Sequence, residues 1–263
     1  ELMPGKVYLV GAGPWDVGLL TIRGRELLQR ADVVLYDYLV NPEHLVHAHD
    51  DAELIPTGRA EKRLSQSEIS QLLVERGSAG QHVVRLKGGD PFVFGLGSSE
   101  ASALASAQIP FEVVPGLTAA VALPGLSGVP LTIRSKITAF TVLSGHYPPG
   151  HPEAADFDRL PRRSTLVVLM GRRNLGAIAD RLLETGWDAD TPTLLIASGT
   201  TNSEQSITTS LADAESAAEP MGAPMTAVIG AGVDFRARLS PWLQQVQADA
   251  SHPAWGLARE PGS

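Results

Sequence analysis

Apolar residues fall along the chain in short blocks separated by glycine, proline and polar turns, and the blocks alternate between two periods. Compact runs rich in β-branched residues read as buried strands, and longer stretches with apolar positions three and four apart read as helices. Lys6–Val10 is a first strand, Leu19–Arg30 has helical spacing, and Ala31–Tyr36 is a second strand ending at Asp37. Glu53–Pro56 predicts a third strand leading into Thr57-Gly58-Arg59. Ser65-Gln66-Ser67-Glu68 has the form of a capping box for the helix through Leu72, Leu73 and Val74. Val83–Leu86 is a strand with one charged interruption, followed by Gly88-Gly89-Asp90-Pro91 and a helix over Glu100–Gln108. Phe111–Val114 then runs into Pro115-Gly116-Leu117-Thr118-Ala119-Ala120, a turn and a small-residue helix start. Strands alternating with helices predict a mostly parallel sheet.

Gly125–Arg134, with Pro124 and Pro130, breaks this rhythm, and we place a domain boundary there, giving an α/β domain over 1–130 and a second over 131–247. In the second, Ala139–Leu143 is a strand ending in Ser144-Gly145-His146, and Gly150–Asp158 is a loop. Thr165–Met170 is a strand, Leu175–Glu184 an amphipathic helix and Thr193–Ala197 a strand. Ser206–Ser210 alternates like an edge strand, Leu211–Ala218 is helical, and Met225–Ile229 closes with a strand. Residues 248–263 read as a frayed tail in which Trp255 is the candidate anchor.

Composition narrows the function classes. With 43% hydrophobic residues the chain can fill a core, and its net charge of -8 argues against a nucleic-acid-binding surface while allowing a local basic pocket. Zero cysteines exclude disulfides, thiolate metal ligands and cysteine nucleophiles. No apolar run approaches the about 18 residues that span a bilayer, and the opening Glu1–Lys6 lacks signal-peptide architecture. The expectation is a soluble cytoplasmic protein without a membrane partner.

Several stretches carry candidate chemistry. Gly11-Ala12-Gly13-Pro14 resembles a dinucleotide fingerprint, but the third glycine would fall at position 16, which is Asp16, and Pro14 removes a backbone donor. A nicotinamide site is therefore disfavoured. Gly88-Gly89-Asp90 at a strand's carboxyl end admits positive φ and lets a ligand lie against bare main chain, although a plain tight turn satisfies the same pattern. Asp37, also at a strand end, suits a cap or turn as readily as a catalytic carboxylate. His146 has no second and third ligand at suitable spacing, so no metal is expected.

Taken as a set, the motifs resemble the tetrapyrrole methylases over residues 6–240. They are Val-Gly-Ala-Gly-Pro (10–14), Leu-Leu-Thr (19–21), Ala-Asp-Val-Val-Leu-Tyr-Asp (31–37), Arg-Leu-Lys-Gly-Gly-Asp-Pro-Phe-Val-Phe-Gly (85–95) and Val-Pro-Gly-Leu-Thr-Ala-Ala (114–120). Gly-Val-Pro-Leu-Thr (128–132), Ser-Gly-His (144–146), Leu-Met-Gly (169–171) and Gly-Thr-Thr (199–201) complete them. The continuous 85–95 run narrows the resemblance to the branch acting on uroporphyrinogen III. The resemblance implies two α/β domains with the active site in the cleft between them, a homodimer, and S-adenosylmethionine as cosubstrate with S-adenosylhomocysteine as product. It implies methyl transfer to C2 and C7 of uroporphyrinogen III, giving precorrin-2 for sirohaem and cobalamin synthesis. Carried onto matching positions, the cofactor contacts would be Pro14, Gly88, Gly89, Asp90, Val93, Thr118, Ala119, Met170 and Gly199. Asp37 matches the proposed proton acceptor, and Arg59 stands where many members carry a lysine proposed as proton donor. A guanidinium hardly deprotonates, so Arg59 suits a carboxylate better than acid catalysis. Glu100, Arg134 and His146 are the implied substrate contacts, and Arg59, Arg85, Lys87 and Arg134 are candidate counter-charges for a carboxylate-rich substrate. Solvated or ion-paired side chains are the plainer reading of Arg85 and Lys87.

The chain departs from the family pattern at three places. Leu96-Gly97-Ser98-Ser99-Glu100 stands where members read Arg-Gly-Gly-Glu-Glu, Trp15 replaces a glycine, and Arg59–Gln66 lacks the usual histidine-bearing loop. Cofactor sites are whole, whereas substrate and turnover are less fixed. A paralogue acting on another precorrin, on diphthine or on ribosomal RNA, and a weakened S-adenosylmethionine-binding protein, are the alternatives. The acidic charge disfavours the RNA case, and the chain length predicts a monofunctional enzyme.

Overall fold

The computed structural model describes residues 5–59 and 62–239, the side chains of Arg59 and Lys62 excepted. The tail and Trp255 lie outside the described residues. The chain divides into two compact units, one comprising the residues through Ala122 with Gly199–Asn202, the other Leu123–Ser198 and the chain from Ser203.

The first unit holds β1 (Val7–Gly11), α1 (Ile22–Leu28), β2 (Val33–Tyr36), β3 (Glu53–Pro56), the short pair β4 (Gly58–Arg59) and β5 (Lys62–Arg63), α2 (Gln66–Ser78), β6 (Val83–Lys87), α3 (Gly97–Ser106) and β7 (Phe111–Val114). Its main sheet is entirely parallel in the order β3-β2-β6-β1-β7, as the alternation predicts. Period-two alternation sorts the side chains. Val10, Val34, Val84 and Leu86 pack with Leu27 and Leu28 of α1 on one face. Val7, Leu9, Val33, Leu35 and Val83 pack with Ile69 and Leu73 of α2 and Leu104 of α3 on the other.

Helix boundaries differ from the sequence reading for local reasons. Asp16 accepts a hydrogen bond from Gly18 N (2.7 Å) and closes a 3₁₀ turn at Val17–Leu19, and Thr21 then caps α1 through Gly24 N (3.0 Å). One continuous helix over 19–30 is thereby broken into a turn and a shorter helix. α3 starts at Gly97 and stops at Ser106, Gln108 taking φ 57 just beyond. The capping box of α2 forms as predicted, Ser65 and Glu68 exchanging bonds of 3.2 and 2.7 Å.

α4 (Ala119–Leu126) spans the division between the units. The second unit holds β8 (Phe140–Ser144), β9 (Thr165–Leu169), α5 (Leu175–Glu184), β10 (Pro192–Ala197), β11 (Gln205–Ser210), α6 (Ala214–Ala218) and β12 (Met225–Ile229). Its sheet runs β11-β10-β12-β9-β8 with only β8 and β9 parallel. β11 is an edge, as its alternation suggests. α6 begins later than predicted, because Ser210 and Asp213 first close a turn through their side chains (2.8 Å). The apolar stripe of α5 (Leu175, Ile178, Leu182) packs with Leu166, Val168, Leu195 and Trp187 in one core. Among the described residues no helix is long and apolar enough to cross a membrane.

Candidate active site

In the first unit the carboxyl ends of β6, β1 and β7 lie side by side, and the glycine-rich loops that follow them meet. Gly13 and Gly89 exchange backbone hydrogen bonds (Gly13 N to Gly89 O 3.1 Å, Gly89 N to Gly13 O 2.8 Å). Gly89 does so at φ +67, a left-handed conformation that glycine adopts without penalty. Gly116 must be glycine for another reason: a Cβ there would stand 2.2 Å from Gly89 O and 2.6 Å from Gly11 Cα. Asp90 ties the loops together, one oxygen accepting from Phe92 N (2.8 Å) and the other from Gly116 N (3.0 Å). Thr118 Oγ1 accepts from Ala120 N (3.3 Å), so Thr118 and Ala119 open α4 beside these loops. A Cβ on Gly89 would sit 3.8 Å from Thr118 Cα, closing the gap that the bare glycine leaves.

Pro14 follows the Gly13 bridge, and the next residues are held from two sides. Asn41 donates to Trp15 O (3.0 Å), and Asp16 N donates to Thr200 Oγ1 (3.1 Å). The second bond ties Thr200 to the first unit, with which Gly199–Asn202 belongs despite its place in the chain. Val93 is half-buried between exposed Phe92 and Phe94, and Leu96, also exposed, takes φ 58.

Beneath these loops lies a charged cluster. Successive odd positions of β2 and β6 face the α2/α3 side, and the parallel register sets Leu35 against Arg85 and Tyr36 against Leu86. Asp37 therefore falls beside Lys87, and β3 brings Thr57 to its other flank. Arg85 and Lys87 are each only 1% exposed and Glu100 is fully buried. Glu100 Oε1 accepts from Arg85 Nε (3.0 Å), Lys87 Nζ (2.9 Å) and Gln66 Nε2 (3.4 Å). Asp37 Oδ1 accepts from Arg85 Nη2 and from Thr57 Oγ1 (3.0 Å), and Lys87 Nζ lies 4.0 Å from Asp37 Oδ2. Burial pushes the Lys87 ammonium below its usual range, with Arg85 adding to the effect and Glu100 and Asp37 opposing it.

Arg85 and Lys87 are thus internally ion-paired, neither solvated nor offered as counter-charges to a ligand. Glu100, expected to contact substrate, is buried behind them. Asp37 is half-buried. The Arg59 side chain lies outside the described residues; its backbone forms β4.

In the second unit, the ends of β8 and β9 meet as bare backbone: a Cβ on Gly145 would stand 2.5 Å from Gly171 Cα. Asn174 Nδ2 donates to the carbonyls of Gly145 (2.8 Å) and His146 (2.9 Å), fixing the His146 loop to the turn that carries Met170. Met170 is exposed, at φ 60. His146 meets Tyr147 edge-on at 4.7 Å, and Arg134 is exposed on the Ile133–Ile137 turn. Among the described residues no group of three potential ligands could hold a metal ion. Sequence reasoning missed Thr57 and Gln66 as partners of the cluster. Thr57 was readable as the residue continuing β3 level with Asp37; Gln66 carries no such signal.

The family model for Tetrapyrrole (Corrin/Porphyrin) Methylases matches residues 6–215. Siroheme synthase 1 of Klebsiella pneumoniae is 42% identical over 253 residues, covering 94% of this chain and 53% of that protein. The chain spans about half the length of the curated relatives it matches. The crystal structure of uroporphyrin-III-C-methyltransferase from Thermus thermophilus is 39% identical, with a TM-score of 0.76 over 90% of this chain and 97% of that one. The Thermus thermophilus enzyme complexed with S-adenosyl homocysteine is 38% identical, with a TM-score of 0.75 over 88% and 99%.

Proposed function

The chain belongs to the tetrapyrrole (corrin/porphyrin) methylases, and from that membership we propose that it transfers methyl groups from S-adenosylmethionine to C2 and C7 of uroporphyrinogen III. The products are precorrin-2 and S-adenosylhomocysteine. The observation that carries the proposal is the joined set of glycine loops at Gly13, Gly88–Asp90 and Gly116–Ala119, in a fold shared at 38% identity with a Thermus thermophilus enzyme complexed with S-adenosyl homocysteine. Bare backbone at several strand ends suits an elongated polar cosubstrate.

Pro14, Gly88, Gly89 and Asp90 hold the cosubstrate with Thr118, Ala119 and Gly199, and Val93 and Met170 supply apolar contact. S-adenosylmethionine, when bound, supplies an electrophilic sulfonium methyl group. The chain's own residues hold donor and acceptor in line and accept the proton that the methylated carbon loses. Asp37 is the acceptor, and Oδ2 is the atom for it, because Oδ1 already takes bonds from Thr57 and Arg85. Arg59, Arg134 and His146 meet the substrate's carboxylates. We extend the proposal to a cytoplasmic location and to a homodimer; exposed apolar side chains such as Ile22, Tyr38 and Leu126 support the homodimer, and light scattering in solution tests it.

Anaerobic incubation with uroporphyrinogen III and S-adenosylmethionine, followed by mass spectrometry, tests the function. Two added methyl groups are expected. No methylation alongside thermal stabilisation by S-adenosylhomocysteine would sink the substrate assignment and keep the cofactor. Exposed Leu96 and Ser99 in place of the family's charged residues favour one second reading, a weakened binding protein. A large gain of turnover in Leu96→Arg would support it.

A further inference from the structure

The cluster beneath Asp37 contains more charge than a fold requires. Two cations and one carboxylate are removed almost wholly from water, and buried ion pairs of this kind contribute little net stability compared with apolar packing. Their arrangement is directional. The Arg85 guanidinium spans two acids, Nε binding Glu100 of α3 and Nη2 binding Asp37 at the end of β2. Glu100 anchors the far end, its Oε1 taking three donors while Oε2 has no partner among the described residues. Among the described residues the charged groups facing Asp37 are Arg85 and Lys87, with Glu100 behind them.

We infer that Glu100 is a positioning residue for Asp37, acting through Arg85. Glu100 fixes the guanidinium, the guanidinium with Thr57 fixes Asp37 Oδ1, and Oδ2 is left to face the substrate. Glu100 also balances the cluster at two positive and two negative charges, so that Asp37 does not face two uncompensated buried cations. The inference rests on the reading of Asp37 as proton acceptor.

The test is the pH–rate profile of four variants, with S-adenosylhomocysteine affinity measured separately on each. Glu100→Gln leaves two cations against one acid. Its turnover should fall at least tenfold, with cofactor affinity within twofold and KM for the tetrapyrrole within threefold. Its acid limb should move down by about one pH unit. Lys87→Met leaves two acids against one cation, and its limb should move up. The double variant Glu100→Gln/Lys87→Met restores balance, and its limb should return towards the starting position. A purely structural role lowers the active fraction without moving the limb. If Glu100→Gln does not fold, Lys87→Met and the double variant still give distinct expectations, a raised limb and one returned to the starting position, and an unmoved limb in Lys87→Met overturns the inference. Turnover retained in Asp37→Asn removes the acceptor reading and the inference together. Turnover lost there, with an unmoved limb in Glu100→Gln, overturns the inference alone.

Discussion

His44 offers a pH test that does not depend on the reaction. It sits fully buried in the 3₁₀ segment Pro42–His47, and neither ring nitrogen has a hydrogen-bond partner among the described residues. Burial first, then nearby His47, hold its pKa down at about 4, with Asp16 opposing. The folded chain therefore keeps a neutral ring where the unfolded chain, near 6.5, takes a proton. Stability is full above about pH 6.5 and is lost as pH falls towards 4, because the unfolded state binds more protons in that window. The gap corresponds to about 3 kcal/mol when fully developed, and about 2 kcal/mol of it falls between pH 7 and pH 5. The comparison is His44→Leu, close in volume and unable to titrate. Urea unfolding of both chains at pH 7, 6 and 5 isolates the term as a difference. The other strongly shifted acid, Glu112, is held at about 2 by Arg23 and Lys6 and acts below this window. At pH 7 the variant should match or exceed the parent, since an unpartnered buried imidazole is replaced by an apolar group. At pH 5 the parent should have lost about 2 kcal/mol more than the variant. Equal pH slopes in the two chains would refute the argument.

The loops and the helix that follows them make three further predictions. Gly116→Ala should lower stability by about 2 kcal/mol or more through its clash with Gly89 O and Gly11, and should abolish the thermal shift given by S-adenosylhomocysteine. Gly125→Ala, inside α4 with nothing within 4 Å of its added Cβ, should instead be neutral or stabilising by up to about 1 kcal/mol, so the same substitution is expected to lower the melting point at Gly116 and to leave it unchanged or raise it at Gly125. Asp90→Asn keeps the shape but sets an amide donor against Phe92 N or Gly116 N, and should cost about 1–2 kcal/mol in urea unfolding and weaken S-adenosylhomocysteine binding in calorimetry.

What the chain discloses in advance follows from the range over which each signal acts. β7, α5 and β12 occupy the spans that their spacing predicts, since periodicity is a local property that burial then ratifies. The sheet of the second unit is different. Its strands read like those of the first, yet β10, β11, β12 and β9 pair antiparallel, because pairing depends on which strands meet and not on the pattern within any one of them. The left-handed Leu96 and Met170 are equally silent, since neither is the glycine that such a backbone would advertise.

The same division of ranges runs through the candidate site. Gly88-Gly89-Asp90 and Gly116 announce themselves because bare backbone has a compositional signature. That Asp90 joins one loop to the other is a fact of tertiary placement. Arg85 is the sharper case. Within Val83–Lys87 it looks like an interruption, and an isolated charge in an apolar strand suggests an edge or a ligand contact. Counting by twos from Val83 instead puts Arg85 level with Leu35 and Lys87 level with Asp37 on one buried face, where a carboxylate from the covering helix adds to Asp37 in making them tolerable. Glu100 on α3 is that carboxylate. Its first helical turn is placed by the left-handed Leu96 and by Gly97, where a Cβ would stand 2.3 Å from Pro91 O. The loop that departs most from the family pattern is therefore also the loop that sets Glu100 at Arg85. A change there can alter what Leu96 and Ser99 present to solvent while α3 still delivers Glu100 to the cluster behind Asp37.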